Sequence, residues 1–126
     1  MSVVPFRRAD KWVEGHFAIA VLGRGGKPTT IQASGFVRGP FAVEDDTVLS
    51  EGAIRALHAG DDPPPVSVTH VPSGYRVCRA KNTKAGMAIA DALRQLPMDW
   101  SFTDPADAKP FNDLVVQIVR RRGGFP

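Results

Sequence analysis

A chain of 126 residues, 43% hydrophobic and 23% charged, has the size and balance of one folded domain and excludes a disordered polymer. Its lone cysteine, Cys78, excludes an internal disulfide framework and a multi-cysteine zinc site, and no stretch approaches the roughly 20 apolar residues of a membrane span. The net charge of +3 is uneven: residues 1–43 carry +4 (six basic, two acidic), 44–62 carry −5 (one basic, six acidic), 63–94 carry +4 (five basic, one acidic), and the rest balance.

In chain order, WVEGHFAIAVL (12–22) alternates Phe17, Ile19 and Val21, the pattern of a largely buried strand, with Trp12 half exposed at its start. GRGGKP (23–28) supplies turn residues and TTIQASGFV returns as a second strand, with Gly35 expected at a bulge. The GRGGK stretch lacks the lysine-serine/threonine ending and strand-to-helix setting of a nucleotide loop, so it reads as a hairpin loop whose Arg24 and Lys27 could touch an acidic partner. Arg38-Gly39-Pro40 bends the chain before Phe41–Val43. The acidic run Glu44, Asp45, Asp46 precedes an expected helix capped by Asp46 or Ser50, with Val48, Leu49, Ala53, Ile54 and Leu57 as its buried stripe and Gly60 as its stop. DDPPP (61–65) is a stiff connector, but the halves beside it are small, so residues 1–126 are expected to form one domain.

A second hairpin, VSVTHVPSGYRVCRA (66–80), turns at Pro72-Ser73-Gly74. Strict alternation sets Val66, Val68 and His70 on one face and Ser67, Thr69 and Val71 on the other. On the return strand it groups Tyr75 with Val77 and Arg79, and Arg76 with Cys78 and Ala80. A helix capped by Asn82 or Thr83 follows, with Ala85, Ala88, Ile89, Ala92, Leu93 and Leu96 on its apolar side and Pro97 ending it. MDWSF (98–102) reads as a short edge strand, with Trp100 anchoring the last helix to the sheet. That helix begins near Pro110 and spaces Phe111, Leu114, Val115, Ile118 and Val119 along one face, with Gly123 closing it. The expected fold is α+β: a two-layer sandwich whose antiparallel sheet has about four main strands, a hairpin-helix unit used twice, and a C-terminal amphipathic helix.

Catalytic constellations are poor. His16, His58 and His70 lack diagnostic metal-ligand spacing, Asp45, Asp46, Asp61 and Asp62 are explained by capping and solvation, and His70 with Cys78 has no clear register as a nucleophile pair. No enzyme activity, cofactor or metal is therefore expected. The leading expectation is a small nucleic-acid-binding or accessory protein. Its site would be Tyr75 as a stacking platform among Arg76, Arg79, Lys81 and Lys84, together with the run Arg120, Arg121 and Arg122, which Arg7 and Arg8 could join. The alternative is a protein-interaction module, an inhibitor or adaptor, using the acidic face of Glu44, Asp45, Asp46, Glu51, Asp61 and Asp62 or a sheet edge. A cytoplasmic location and a homodimer through an exposed edge complete the expectations.

Overall fold

The alternation that begins after Trp12 becomes the first strand of an antiparallel sheet in the computed structural model, which describes residues 11–47, 51–62 and 64–126. Strands β1 (Val13–Leu22) and β2 (Pro28–Arg38) pair without interruption from Val13 opposite Val37 to Leu22 opposite Pro28. The GRGGK stretch closes their hairpin as expected, with Gly23 N–H donating to Lys27 O at 2.7 Å. After the Gly39-Pro40 turn comes β3 (Phe41–Glu44), followed by α1 (Glu51–Ala59). The hairpin of β4 (Val66–His70) and β5 (Tyr75–Ala80) leads to α2 (Thr83–Arg94), a 3-10 segment (Pro105–Phe111) and α3 (Asn112–Arg121).

Spatial order equals chain order, β1-β2-β3-β4-β5, so the sheet is a meander. It remains open, although its first strand curls back far enough for Ala20 N–H to donate to Gly74 O at 2.7 Å. The α+β arrangement of antiparallel sheet, helices and C-terminal helix is the expected one, the fifth strand being the short β3.

Period-2 alternation divides the apolar residues between two faces. On one face Phe41, Val43, Val68, Cys78 and Ala80 meet Ile89 and Leu93 of α2 and Val119 of α3. On the other, Phe17, Ile19 and Ala42 form a smaller cluster beneath Val21, Ala33 and Val37. Covered on both faces, β4 is buried along its whole length. Asp91 secures α2 from the side, accepting from Arg38 Nη1 at 3.0 Å and from Trp12 Nε1 at 3.4 Å.

Four expectations need correction. Gly35 sits in unbroken register, and what it permits is close approach, because a Cβ there would lie 2.0 Å from Val43 O. Residues 98–102 form turns and not a strand; Trp100 is instead drawn into the core, its ring 4.8 Å from Phe41 and its Nε1–H donating to Leu93 O at 3.2 Å. On the expected apolar side of α1, the described residues Ile54 and Leu57 are not buried, being 41% and 54% exposed. Val48, Leu49 and Ser50, and the side chains of Arg24, Glu51 and Ala53, lie outside the described residues, as do Arg7 and Arg8. Finally, Asp46 caps a different helix: its Oδ2 accepts from Thr83 N at 2.9 Å, at the start of α2, beside the Asn82 cap that accepts from Ala85 N at 2.8 Å.

Candidate functional site

The second hairpin departs from strict alternation at one residue. Val68 stands opposite Cys78 but Thr69 stands opposite Arg76, so Val77 is an extra residue in β5 and the strand bulges there. Partners across a ladder share a face. Tyr75 therefore joins Cys78 and Ala80, opposite His70, Val68 and Val66, while Arg76 joins Arg79, opposite Thr69 and Ser67. The simple grouping is thus reversed: the bulge sets both arginines in register on the face turned away from α2. A period-2 reading cannot anticipate this, because nothing in YRVCRA announces an extra residue.

The end of the chain brings a second basic group to the same strand. In α3, Gly123 N–H donates to Arg120 O at 3.1 Å and Gly124 N–H to Val119 O at 2.8 Å, with Gly123 at φ 75°. This paired closure stops the helix and turns the chain back. Phe125 then bridges β5, donating to Arg79 O at 2.8 Å and accepting from Arg79 N at 2.9 Å. Three peptide units separate Arg122 from Phe125, so Arg122, the last of the run, lies within about 17 Å of Arg79, backbone to backbone. Lys81 follows at the end of β5 and Lys84 in the first turn of α2. Arg76, Arg79, Lys81, Lys84, Arg120, Arg121 and Arg122 are all exposed, and among the described residues none has a carboxylate partner. Asp62 lines one shallow groove with Lys81 and Phe125.

The acidic run is arranged differently. Glu44 Oε1 accepts from Ser67 N at 2.8 Å, where its carboxylate continues the ladder beyond the end of β3. Asp46 and Thr83 bond reciprocally, Asp46 N–H donating to Thr83 Oγ1 at 2.8 Å, and Thr83 Oγ1 donates to Glu44 O at 2.7 Å. Asp45 accepts from Thr47 N and Thr47 Oγ1 at 2.9 and 2.6 Å, bonds that hold its carboxyl below the usual range. Three of the six residues of the acidic face are thus engaged by their own chain.

Tyr75, 48% exposed, stands at the mouth of a cavity of about 230 Å3 between β5 and α3, which the neighbouring Arg76 also lines from the β5 edge. Its interior is aromatic: His70 and Phe102 stack at 4.2 Å and 22°, with Trp100 beside them. Val115 and Val116 of α3 form the far wall. A larger depression of about 510 Å3 near Gly39, Arg94 and Ser101 is shallow and open.

His70 cannot serve as the base of a His70–Cys78 pair. Its Nε2 lies 2.6 Å from Trp100 O and its Nδ1 2.8 Å from Ser73 Oγ, which also accepts from Tyr75 N at 3.2 Å. A neutral ring donating from Nε2 and accepting at Nδ1 satisfies all three bonds, and burial holds the pKa below its usual value despite the carbonyl's opposing pull. Burial also pushes the Cys78 thiol up to about 12, against a smaller lowering by Arg76, which leaves no thiolate at neutral pH. No group of three or more His, Cys, Asp or Glu side chains among the described residues could hold a metal.

No helix among the described residues is long and apolar enough to cross a membrane. Comparisons with protein-family models, curated proteins and solved structures return no match for this chain.

Proposed function

We propose that this protein binds nucleic acid through the basic end formed by β5, the start of α2 and the end of α3. The observation that carries the reading is seven exposed cations without carboxylate partners among the described residues, with the Arg79–Phe125 bridge bringing the end of α3 beside β5. Unneutralised cations retain their full attraction for phosphate, and arginine's forked donors fit it well. The reading is of a non-enzymatic, cytoplasmic binding or accessory protein. Titration of fluorescent single- and double-stranded oligonucleotides at low and moderate salt tests it, since phosphate contacts release counterions and binding must weaken steeply with salt. Absence of binding at low salt would end this reading.

A protein-interaction role has one observation in its favour, the exposed Ile54 and Leu57 of α1 beside Asp61 and Asp62. The internal engagement of Glu44, Asp45 and Asp46 weighs against a purely electrostatic version of it. A homodimer joined along β5 would meet the edge already occupied at Arg79 by Phe125. Light scattering at a mass near 13.6 kDa rejects the dimer, and retention of a basic partner after Asp61 and Asp62 are replaced by lysine rejects the acidic face.

A further inference from the structure

Resting on the nucleic-acid reading of the neighbouring cations, we propose that the cavity between β5 and α3 captures one unpaired base, so that the ligand is a single strand and not a duplex. The volume, about 230 Å3, lies below the roughly 300–1,000 Å3 of pockets for larger ligands and suits one planar ring system. The accessible aromatic surface comes from Tyr75 and from Phe102, which is backed by the buried His70, and bases in general find their best non-specific contacts on such faces. The polar groups divide into two kinds. Those in the floor, His70 and Ser73, are satisfied by one another and by the backbone. Those at the mouth, the Tyr75 hydroxyl and the Asn112 amide, have no side-chain hydrogen bond among the described residues. An amide can read the edge of a base.

Position supports the same ligand. Asn112 opens α3 and Arg120 and Arg121 close it, so cavity and arginines lie about 13 Å apart along the helix axis. A strand whose backbone rests on the arginines can therefore reach the cavity with a base a few nucleotides away. A duplex keeps its bases stacked and paired, and would have to extrude one at a cost of several kcal/mol.

The test is an NMR titration of the full chain with uncharged nucleosides, with a short single strand, and with the duplex of the same sequence. Expected are nucleoside-induced shifts at Tyr75, Val77, the Trp100 indole and Asn112, and a preference for the single strand. Val116→Phe, which fills the cavity, should abolish the nucleoside shifts and remove a single-strand advantage of about tenfold. Asn112→Ala, at an exposed position, should weaken nucleoside binding with the fold intact, which covers the case of a misfolded Val116→Phe. Equal affinity for single strand and duplex, with no nucleoside shifts, overturns the inference while leaving the nucleic-acid reading standing. Nucleoside shifts at the cavity without oligonucleotide binding reject both the nucleic-acid reading and the single-strand ligand, assigning the cavity to free nucleosides or nucleotides. Shifts confined to residues outside the cavity also overturn the inference.

Discussion

The acidic run at Glu44–Asp46 and the basic run at Arg120–Arg122 look like mirror images in the sequence, each three charges of one sign beside a helix. The fold treats them oppositely. The acidic side chains accept hydrogen bonds from Ser67, Thr47 and Thr83, and two of them tie the end of β3 to β4 and α2. The arginines leave α3 on its exposed side and find no carboxylate among the described residues. A cluster of charge indicates a ligand only when the chain itself has not used it. Carboxylates are easily used, because the backbone offers many N–H donors at helix starts and strand ends, whereas a guanidinium needs acceptors that helices offer mainly at their last turn.

The comparison can be broken most severely from beneath the basic run. Val119 is fully buried against Ile89 and the sheet, so Val119→Asp places an unpaired charge in the core. It should cost about 4 kcal/mol or more, or unfold the chain, as read by urea denaturation. The acidic side comes next. Thr83→Val keeps the shape but leaves Asp46 N–H and Glu44 O without their partner, for an expected loss of about 2 kcal/mol. Asp46→Ala removes an acceptor at the start of α2 and should cost about 1 kcal/mol by the same measurement.

A smaller effect concerns the charge that the interior rejects. The pKa of His70 is lowered in the folded protein, so between about 6.5 and that lowered value the unfolded chain binds more protons. Stability should be fully present above pH 6.5, fall as pH drops through this window, and level off below it. His70→Gln should flatten the melting temperature between pH 7.5 and 5; an unchanged pH profile in this variant would reject the assignment.

Much of the fold is legible in local chemistry: both hairpin turns, the Asn82 cap, the Gly123 stop and the stripe of α3 follow from residue type and spacing. That stripe is correct in direction but unequal in depth, with Val119 buried, Ile118 partly so and Leu114 46% exposed. What escapes a local reading depends on distant partners. The same amphipathic spacing marks α1 and α2, yet α2 follows its hairpin directly onto the sheet while Ile54 and Leu57 stay exposed. Asp46 could be recognised as a cap, but not as the cap of a helix 37 residues on. The aromatic cavity is assembled from β4, the 97–111 connection and α3, and no spacing rule joins His70 to Phe102. The candidate cations were visible from their exposure-prone chemistry alone. The shared face of Arg76 and Arg79 rests on the Val77 bulge, and the return of the end of α3 to β5 rests on the Arg79–Phe125 bridge, both products of tertiary pairing.

One of the smaller expected changes in stability belongs to the variant most informative about function. Replacing Arg120, Arg121 and Arg122 together by alanine should cost about 1 kcal/mol, roughly 0.3 for each cation at a helix end. In the same protein, a labelled single strand titrated by fluorescence anisotropy from about 50 to 200 mM salt should bind more weakly, with its salt slope reduced by up to about 2, roughly 0.7 for each lost phosphate contact. That pairing of near-native melting with a flattened salt slope is what the account predicts. An unchanged slope, or a melting loss as large as that of Val119→Asp, would show that the arginines serve the fold and not a ligand.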